Sequence, residues 1–250
     1  MPERGETSGA RPSLDASFCT THWSAVLAAR ERNSARAEQA LAELCQTYWY
    51  PLYVFIRRRG NSPGEAEDLT QGFFERLVEK HYLGDLQPGT GRFRSFLLTA
   101  LKHFLANEWD RAQTRKRGGG QVIVSIDHRE AESRYHYEPA DVATPDMLYE
   151  RRWAFTILER VLTRLGNEFR GSQPAELFDH LRPFLSGDHP GIFYRDVAQR
   201  FGIKEGTVRV MVHRLRHRYR ELLRTEIGNT VGDPREIDDE IRHLMAVVGT

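Results

Sequence analysis

The sequence predicts an all-α protein of two helical domains joined by a linker, and three observations carry that expectation. Apolar residues recur at helical spacing along most of the chain, as in Leu41, Leu44, Cys45 and Tyr48. Glycine and proline cluster at only a few places, so they separate long periodic segments. No strand-rich region appears, and only Gln121–Ile126 could make a short extended piece.

The chain of 250 residues is long enough for two small domains at roughly 100–200 residues each. With 40% hydrophobic and 28% charged residues it can build cores. Residues 1–22, rich at their start in Gly, Pro and Ser, are expected to be disordered. A first domain over 23–117 follows. Within it, Asn61-Ser62-Pro63-Gly64 divides two helices, with Ser62 placed to cap and Pro63 at the first helical position. Leu69, Phe73 and Leu77 form the inner face of the second helix.

Residues 84–92 read as a loop, holding three glycines and a proline. A long apolar stripe comes next: Phe93, Phe96, Leu97, Ala100, Leu101, Phe104, Leu105 and Trp109. It runs into the basic end Arg111, Arg115, Lys116, Arg117 and stops at Gly118-Gly119-Gly120. Residues 118–143 lack a sustained period and are assigned as linker. Thr144-Pro145 opens the second domain, 144–225, with Leu148, Phe155, Leu158, Leu162 and Leu165 on one face of its first helix. In the tail, 226–250, Asp233-Pro234 reads as a cap before an amphipathic helix. Its stripe is Ile237, Ile241, Leu244, Met245 and Val248, opposite Glu236, Asp239, Glu240 and Arg242.

Formal net charge is only +1, so the distribution of charge matters more than its sum. Residues 63–86 carry the acids Glu65, Glu67, Asp68, Glu75, Glu79 and Asp85, against Arg76 and Lys80. Residues 207–224 carry Arg209, Arg214, Arg216, Arg218, Arg220 and Arg224, against Glu221 alone. Such segregation suits a polyanion at one surface and a basic partner at another. No apolar run reaches the ~20 residues that cross a bilayer, and no apolar signal core opens the chain, which leads to an expected cytoplasmic location. Cys19 and Cys45 form no CxxC pair and read as ordinary thiols.

The strongest local signal is Tyr194–His213, which fits a helix-turn-helix. Val197, Phe201, Ile203, Val208 and Met211 stand where two crossing helices bury apolar groups. Ala198 is small where the helices must approach, and Gly202 supplies the freedom that the turn needs. The second helix would present Lys204, Thr207, Arg209, His213 and Arg214 to base edges in a major groove. Arg216, Arg218 and Arg220 are placed for phosphates, which position a protein without reading sequence. His213 and His217 lie four apart, but arginines surround them and no third ligand is evident, so no metal is assigned.

The upstream half narrows the choice. Ala66-Glu67-Asp68-Leu69-Thr70-Gln71-Gly72-Phe73-Phe74 resembles the AEDLxQExF signature of region 2.2 of the extracytoplasmic-function sigma factors of RNA polymerase. Phe93–Arg117 resembles regions 2.3 and 2.4, and Tyr194–Arg224 resembles region 4.2. The resemblance spans roughly residues 36–117 and 150–225, and regions 1.1 and 3 have no counterpart.

It implies a non-enzymatic subunit without cofactor that binds polymerase core at the β′ clamp and β flap and directs promoter-specific initiation. Glu67, Asp68, Gln71 and Glu75 would meet core. Arg92, Arg94, Lys102, His103, Asn107, Arg111, Arg115, Lys116 and Arg117 would meet the −10 element, with a base pocket formed largely by 84–92. Lys204, Thr207, Arg209, His213, Arg214, Arg216 and Arg218 would meet the −35 element. Three positions depart from the family pattern: Gly72 for Glu, His103 for Asn and Asn107 for Asp. Any anti-sigma factor or other regulator would be a separate chain or absent, since no HxxxCxxC motif is present.

Two rivals come from other classes. A conventional helix-turn-helix regulator explains 194–224 but not the acidic AEDLTQ helix. An enzyme lacks support, because no HExxH, P-loop or GxSxG motif occurs.

Overall fold

A computed structural model describes residues 35–78, 91–114, 128–136, 144–171, 174–186 and 193–249. Their helices, in chain order, are α1 Ala35–Arg58, α2 Pro63–Val78, α3 Phe93–Thr114, α4 His128–His136, α5 Pro145–Arg170, α6 Ala175–Leu181, α7 Tyr194–Phe201, α8 Glu205–Gly228 and α9 Ile237–Val248. Short 3₁₀ turns at Arg182–Ser186 and Pro234–Glu236 complete them. The fold is all-α, and the strand-type pairing among the described residues is one antiparallel bridge between Arg92 and Val231. Gln121–Ile126, the triple glycine and the N-terminal 22 residues lie outside the described residues.

Helix starts follow the local chemistry. Glu65 accepts from Ser62 N at 2.8 Å while Glu65 N donates to Ser62 Oγ at 3.3 Å, a reciprocal capping box that starts α2. That bonding holds the Glu65 carboxyl below its usual value. Thr144 Oγ1 accepts from Met147 N at 3.2 Å ahead of Pro145, which starts α5. Asp233 accepts from Arg235 N at 2.9 Å and turns the chain toward α9.

The core is one continuous cluster to which both expected domains contribute. α1 supplies Tyr48, Leu52, Phe55 and Ile56, all buried, and packs along α5. The buried face of α5 is Leu148, Tyr149, Trp153, Ile157, Val161 and Leu165. This corrects the expected face. Leu148 and Leu165 belong to it, whereas Phe155, Leu158 and Leu162 are half-buried on its flank. The aromatic residues Tyr149 and Trp153 determine which way the helix turns, and their area outweighs that of three leucine-sized groups left partly wet. On α6, Phe178 lies against Gly166, where a Cβ would come within 3.0 Å of its ring.

Within 118–143, residues His128–His136 form α4, which docks on α1. Its Glu132 takes Arg57 Nη2 at 2.7 Å and Tyr53 Oη at 2.5 Å, so polar anchoring replaces the apolar period that would have revealed the helix. Trp109, counted with the inner stripe of α3, is 70% exposed, because the stripe leaves the core after Leu105. In the tail, Glu240 is fully buried and Met245 is exposed, the reverse of their expected faces. Arg92 and Arg94, at the start of α3, draw Glu240 inward. α9 otherwise packs back on α5 and α8.

Candidate nucleic-acid and partner interface

The turn between α7 and α8 requires glycine. Gly202 adopts φ +64°, in the left-handed region, and the N–H groups of Gly202 and Ile203 return to Gln199 and Ala198 carbonyls at 3.4 and 3.0 Å. Val197, Ala198 and Val208 are buried where the helices cross. Phe184 stacks on Tyr194 at 4.6 Å, and Arg216 Nε donates to the Phe184 carbonyl at 2.8 Å, so the 3₁₀ turn braces both helices. This bracing orients the outer face of α8.

Lys204, Thr207, Arg209, His213 and Arg214 are all exposed there. Arg209 forks onto Glu205 one turn back, at 2.7 Å, and lies over the Tyr194 ring. The Glu205 bond, then its charge, raises the Arg209 pKa. Such an exposed pair is worth little and exchanges readily for another anion. Arg214 has no ionic partner among the described residues. Two others differ from expectation. Arg216 is half-buried and holds the Phe184 carbonyl. Arg218 bridges Glu168 at 2.7 Å and Glu221 at 3.0 Å, bonds that push its pKa further up and hold Glu168 below the usual carboxylate range. Both are therefore spoken for in this conformation.

Val210, at 51% exposure, lies between Thr207 and Arg214 at helical spacing. An apolar residue on a reading helix can contact a thymine methyl. Sequence reasoning treated the apolar groups of this helix as core and missed it. The spacing 207, 210, 214 was the available signal.

On α2, Ala66, Thr70, Phe73 and Leu77 are fully buried and Leu69 is half-buried. Glu67, Gln71 and Glu75 are half-exposed and Asp68 is exposed, with Gln71 Nε2 donating to Glu67 at 3.0 Å. Asp68 opens onto a cleft of about 820 Å³ that Leu69, Arg59, Lys102 and Trp109 also line. The exposed indole thus neighbours the acidic helix, a placement that sequence reasoning did not foresee. A Cβ at Gly72 would meet Phe104 of α3 at 3.5 Å, ordinary contact, so this departure from the family pattern lies toward α3.

The −10 candidates separate into three groups. His103 and Asn107 are exposed on α3, free of the core. The side chain of Arg111 and all of Arg115, Lys116 and Arg117 lie outside the described residues, as does most of the 84–92 loop. Arg92, Arg94 and Lys102 are paired with carboxylates. Arg94, expected on the exposed face, is 3% exposed. Its Nε meets Glu240 at 2.6 Å, its Nη1 meets Glu150, and its guanidinium lies 5.0 Å over the Trp153 ring. Burial opposes its charge, but Glu240 and Glu150 outweigh that and raise its pKa. Arg92 Nε reaches the second Glu240 oxygen at 2.9 Å, and Lys102 pairs with Asp146. His243 Nε2 lies 2.9 Å from Glu150.

Among the described residues no three His, Cys, Asp or Glu side chains gather as a metal site, and no helix is long and apolar enough to cross a membrane. Cys45 is buried, and its thiol pKa is pushed up to about 12 by burial.

No model of a known family matches the chain, and no solved structure matches it. Among curated proteins it is similar to the ECF RNA polymerase sigma factor SigE of Mycolicibacterium smegmatis, with 26% identity over 188 residues. That likeness covers 75% of this chain and 63% of the relative, so the chain spans less than two thirds of the relative's length.

Proposed function

We propose, from an assignment to the extracytoplasmic-function sigma factor family that this likeness supports, that the chain is a sigma subunit directing RNA polymerase core to its promoters. The observation that carries the reading is the pairing of two surfaces in one fold. α8 offers Thr207, Arg209, Val210, His213 and Arg214 outward, as a major-groove reader needs. α2 offers Glu67, Asp68 and Gln71 outward, as a dock for a basic partner needs. A helix-turn-helix regulator needs the first surface alone.

In this reading α8 contacts the −35 element, with Arg209 and Arg214 able to pair bidentately with guanine at ~1–3 kcal/mol of discrimination each. Arg209 releases Glu205 as it does so. His103 and Asn107 face the −10 element, and the basic residues at 111–117 hold the adjoining phosphates. The cleft beside Asp68 receives core, with Trp109 as its apolar anchor.

The test is core affinity. Asp68→Arg reverses charge on an exposed residue, so the fold survives. Core affinity should fall at least tenfold while binding to isolated −35 duplex stays unchanged. Unchanged core affinity would remove the basis for placing core on α2, and a wild-type protein that does not bind core at all would leave the conventional regulator.

A further inference from the structure

The outward face of α8 is small and apolar at its centre. Val208, Val212 and Leu215 turn into the core, with Met211 half-buried beside them. At 3.6 residues per turn, the opposite direction falls on Gly206, Val210, His213 and His217, all exposed. A Cβ at Gly206 would meet no atom within 4 Å, and its φ lies outside the left-handed region. Neither packing nor backbone therefore requires glycine there, and glycine weakens a helix relative to alanine. Valine is also a poorer helix former than alanine, and Val210 keeps half of its surface in water. The fold gains little from either residue.

We infer that Gly206 and Val210 form a seat for one thymine methyl, which makes Val210 a specificity-determining residue of the DNA-reading helix. The inference rests on the reading of α8 as the −35 helix and names the base feature met at its centre. The thymine C5-methyl is the apolar group that base pairs display in the major groove, and small apolar side chains meet it there. Val210 lies in the second turn of α8, within the N-terminal part that a helix-turn-helix sets against base edges. Gly206, one turn earlier on the same strip, lacks the side chain that would hold the backbone off the base. Charge selects duplex DNA as the occupant rather than an apolar protein surface. Lys204, Arg209 and Arg214 border the strip, and the nearby Glu205 is paired with Arg209. Arg214 stands four residues beyond Val210, about 6 Å along the axis. The thymine therefore lies within about two base steps, at ~3.4 Å each, of the guanine that Arg214 takes.

The experiment uses the full-length protein. A random pool of duplexes is enriched by rounds of binding, and each thymine of the selected sequence is then replaced in turn by deoxyuridine, which lacks only the methyl. Affinity is read by fluorescence anisotropy at fixed salt, with far-UV circular dichroism to verify the fold of each variant. One position should lose about fourfold in wild-type affinity when its methyl is removed, the worth of one buried methyl. Val210→Ala should bind the thymine duplex about as weakly as the wild type binds the uracil duplex, and should not distinguish the two. Gly206→Ala should bind the selected duplex at least threefold more weakly, although alanine strengthens the helix.

Failure to enrich any sequence, a selected sequence without thymine, or uracil without effect at every position would overturn the seat. So would an equal uracil penalty in Val210→Ala. Unchanged affinity in Gly206→Ala would overturn the close approach at that residue. A protein that selects a sequence but never binds core refutes the sigma reading, while the comparison of thymine with uracil still tests Val210.

Discussion

Glu240 and Arg94, 146 residues apart in sequence, form an ion pair of 2.6 Å in which the carboxylate has no solvent exposure. Burying two charges costs several kcal/mol in lost hydration, which only close geometry and further hydrogen bonds offset. Here the further bonds come from Arg92 and Glu150. Removing Arg94 leaves the buried Glu240 with Arg92 alone and takes the guanidinium from Glu150. Arg94→Ala should therefore lower unfolding free energy by ~3–5 kcal/mol, the range for breaking a buried pair. Denaturant titration measures it, and a loss below ~1 kcal/mol would contradict the buried cluster.

At Gly202 the cost of substitution is purely one of backbone. A Cβ there meets no atom within 4 Å, yet φ is +64°. Gly202→Ala should cost ~1–2 kcal/mol, the penalty of the left-handed region for an L residue, with no change of helix content in the surviving fold. A neutral result would mean that the turn relaxes to another conformation.

Arg214 and Arg218 should separate on a salt titration of −35 binding. Arg214 is exposed and without an ionic partner among the described residues, whereas Arg218 is already neutralised by Glu168 and Glu221. Arg214→Ala should cost ~1–3 kcal/mol at one guanine position and lower the slope of log K against log salt, since it removes a cation from the DNA surface. Arg218→Ala should leave the slope almost unchanged. Equal effects would show that Arg218 abandons Glu168 for DNA.

The docking of α4 should weaken in acid. Arg57 holds the Glu132 carboxyl below its ordinary 4.5, with Tyr53 assisting against a desolvation penalty. A depressed carboxylate contributes stability that is complete above its unfolded value and is lost as pH falls through the folded value. Hydrogen-exchange protection at 128–136, taken relative to the intrinsic rate at each pH, should therefore be constant above 4.5 and fall below it. Glu132→Gln should remove that dependence and leave exchange fast throughout.

Helical class, caps and the helix-turn-helix were legible because each has a local cause. Ser62, Thr144 and Gly202 act within a few residues of themselves, and the period of α2 is set by its own apolar groups. What stayed hidden depends on distant chain. Glu240 reads as a polar residue on an outer face until Arg92 and Arg94 are brought against it. The turn of α5 depends on where Tyr149 and Trp153 find room beside α1. α4 has almost no apolar pattern and is held by Glu132 on Arg57, a contact that spans 75 residues. Trp109 satisfies the period of α3 but extends past the core that would have buried it.

The sigma reading itself stands on one measurement: transcription in vitro by core polymerase across a genomic promoter library, with and without the protein. The account predicts new transcripts that start downstream of a shared pair of −35 and −10 motifs, that depend on the protein, and that are lost with Asp68→Arg. Transcription unchanged by the protein, with core not bound, would contradict it.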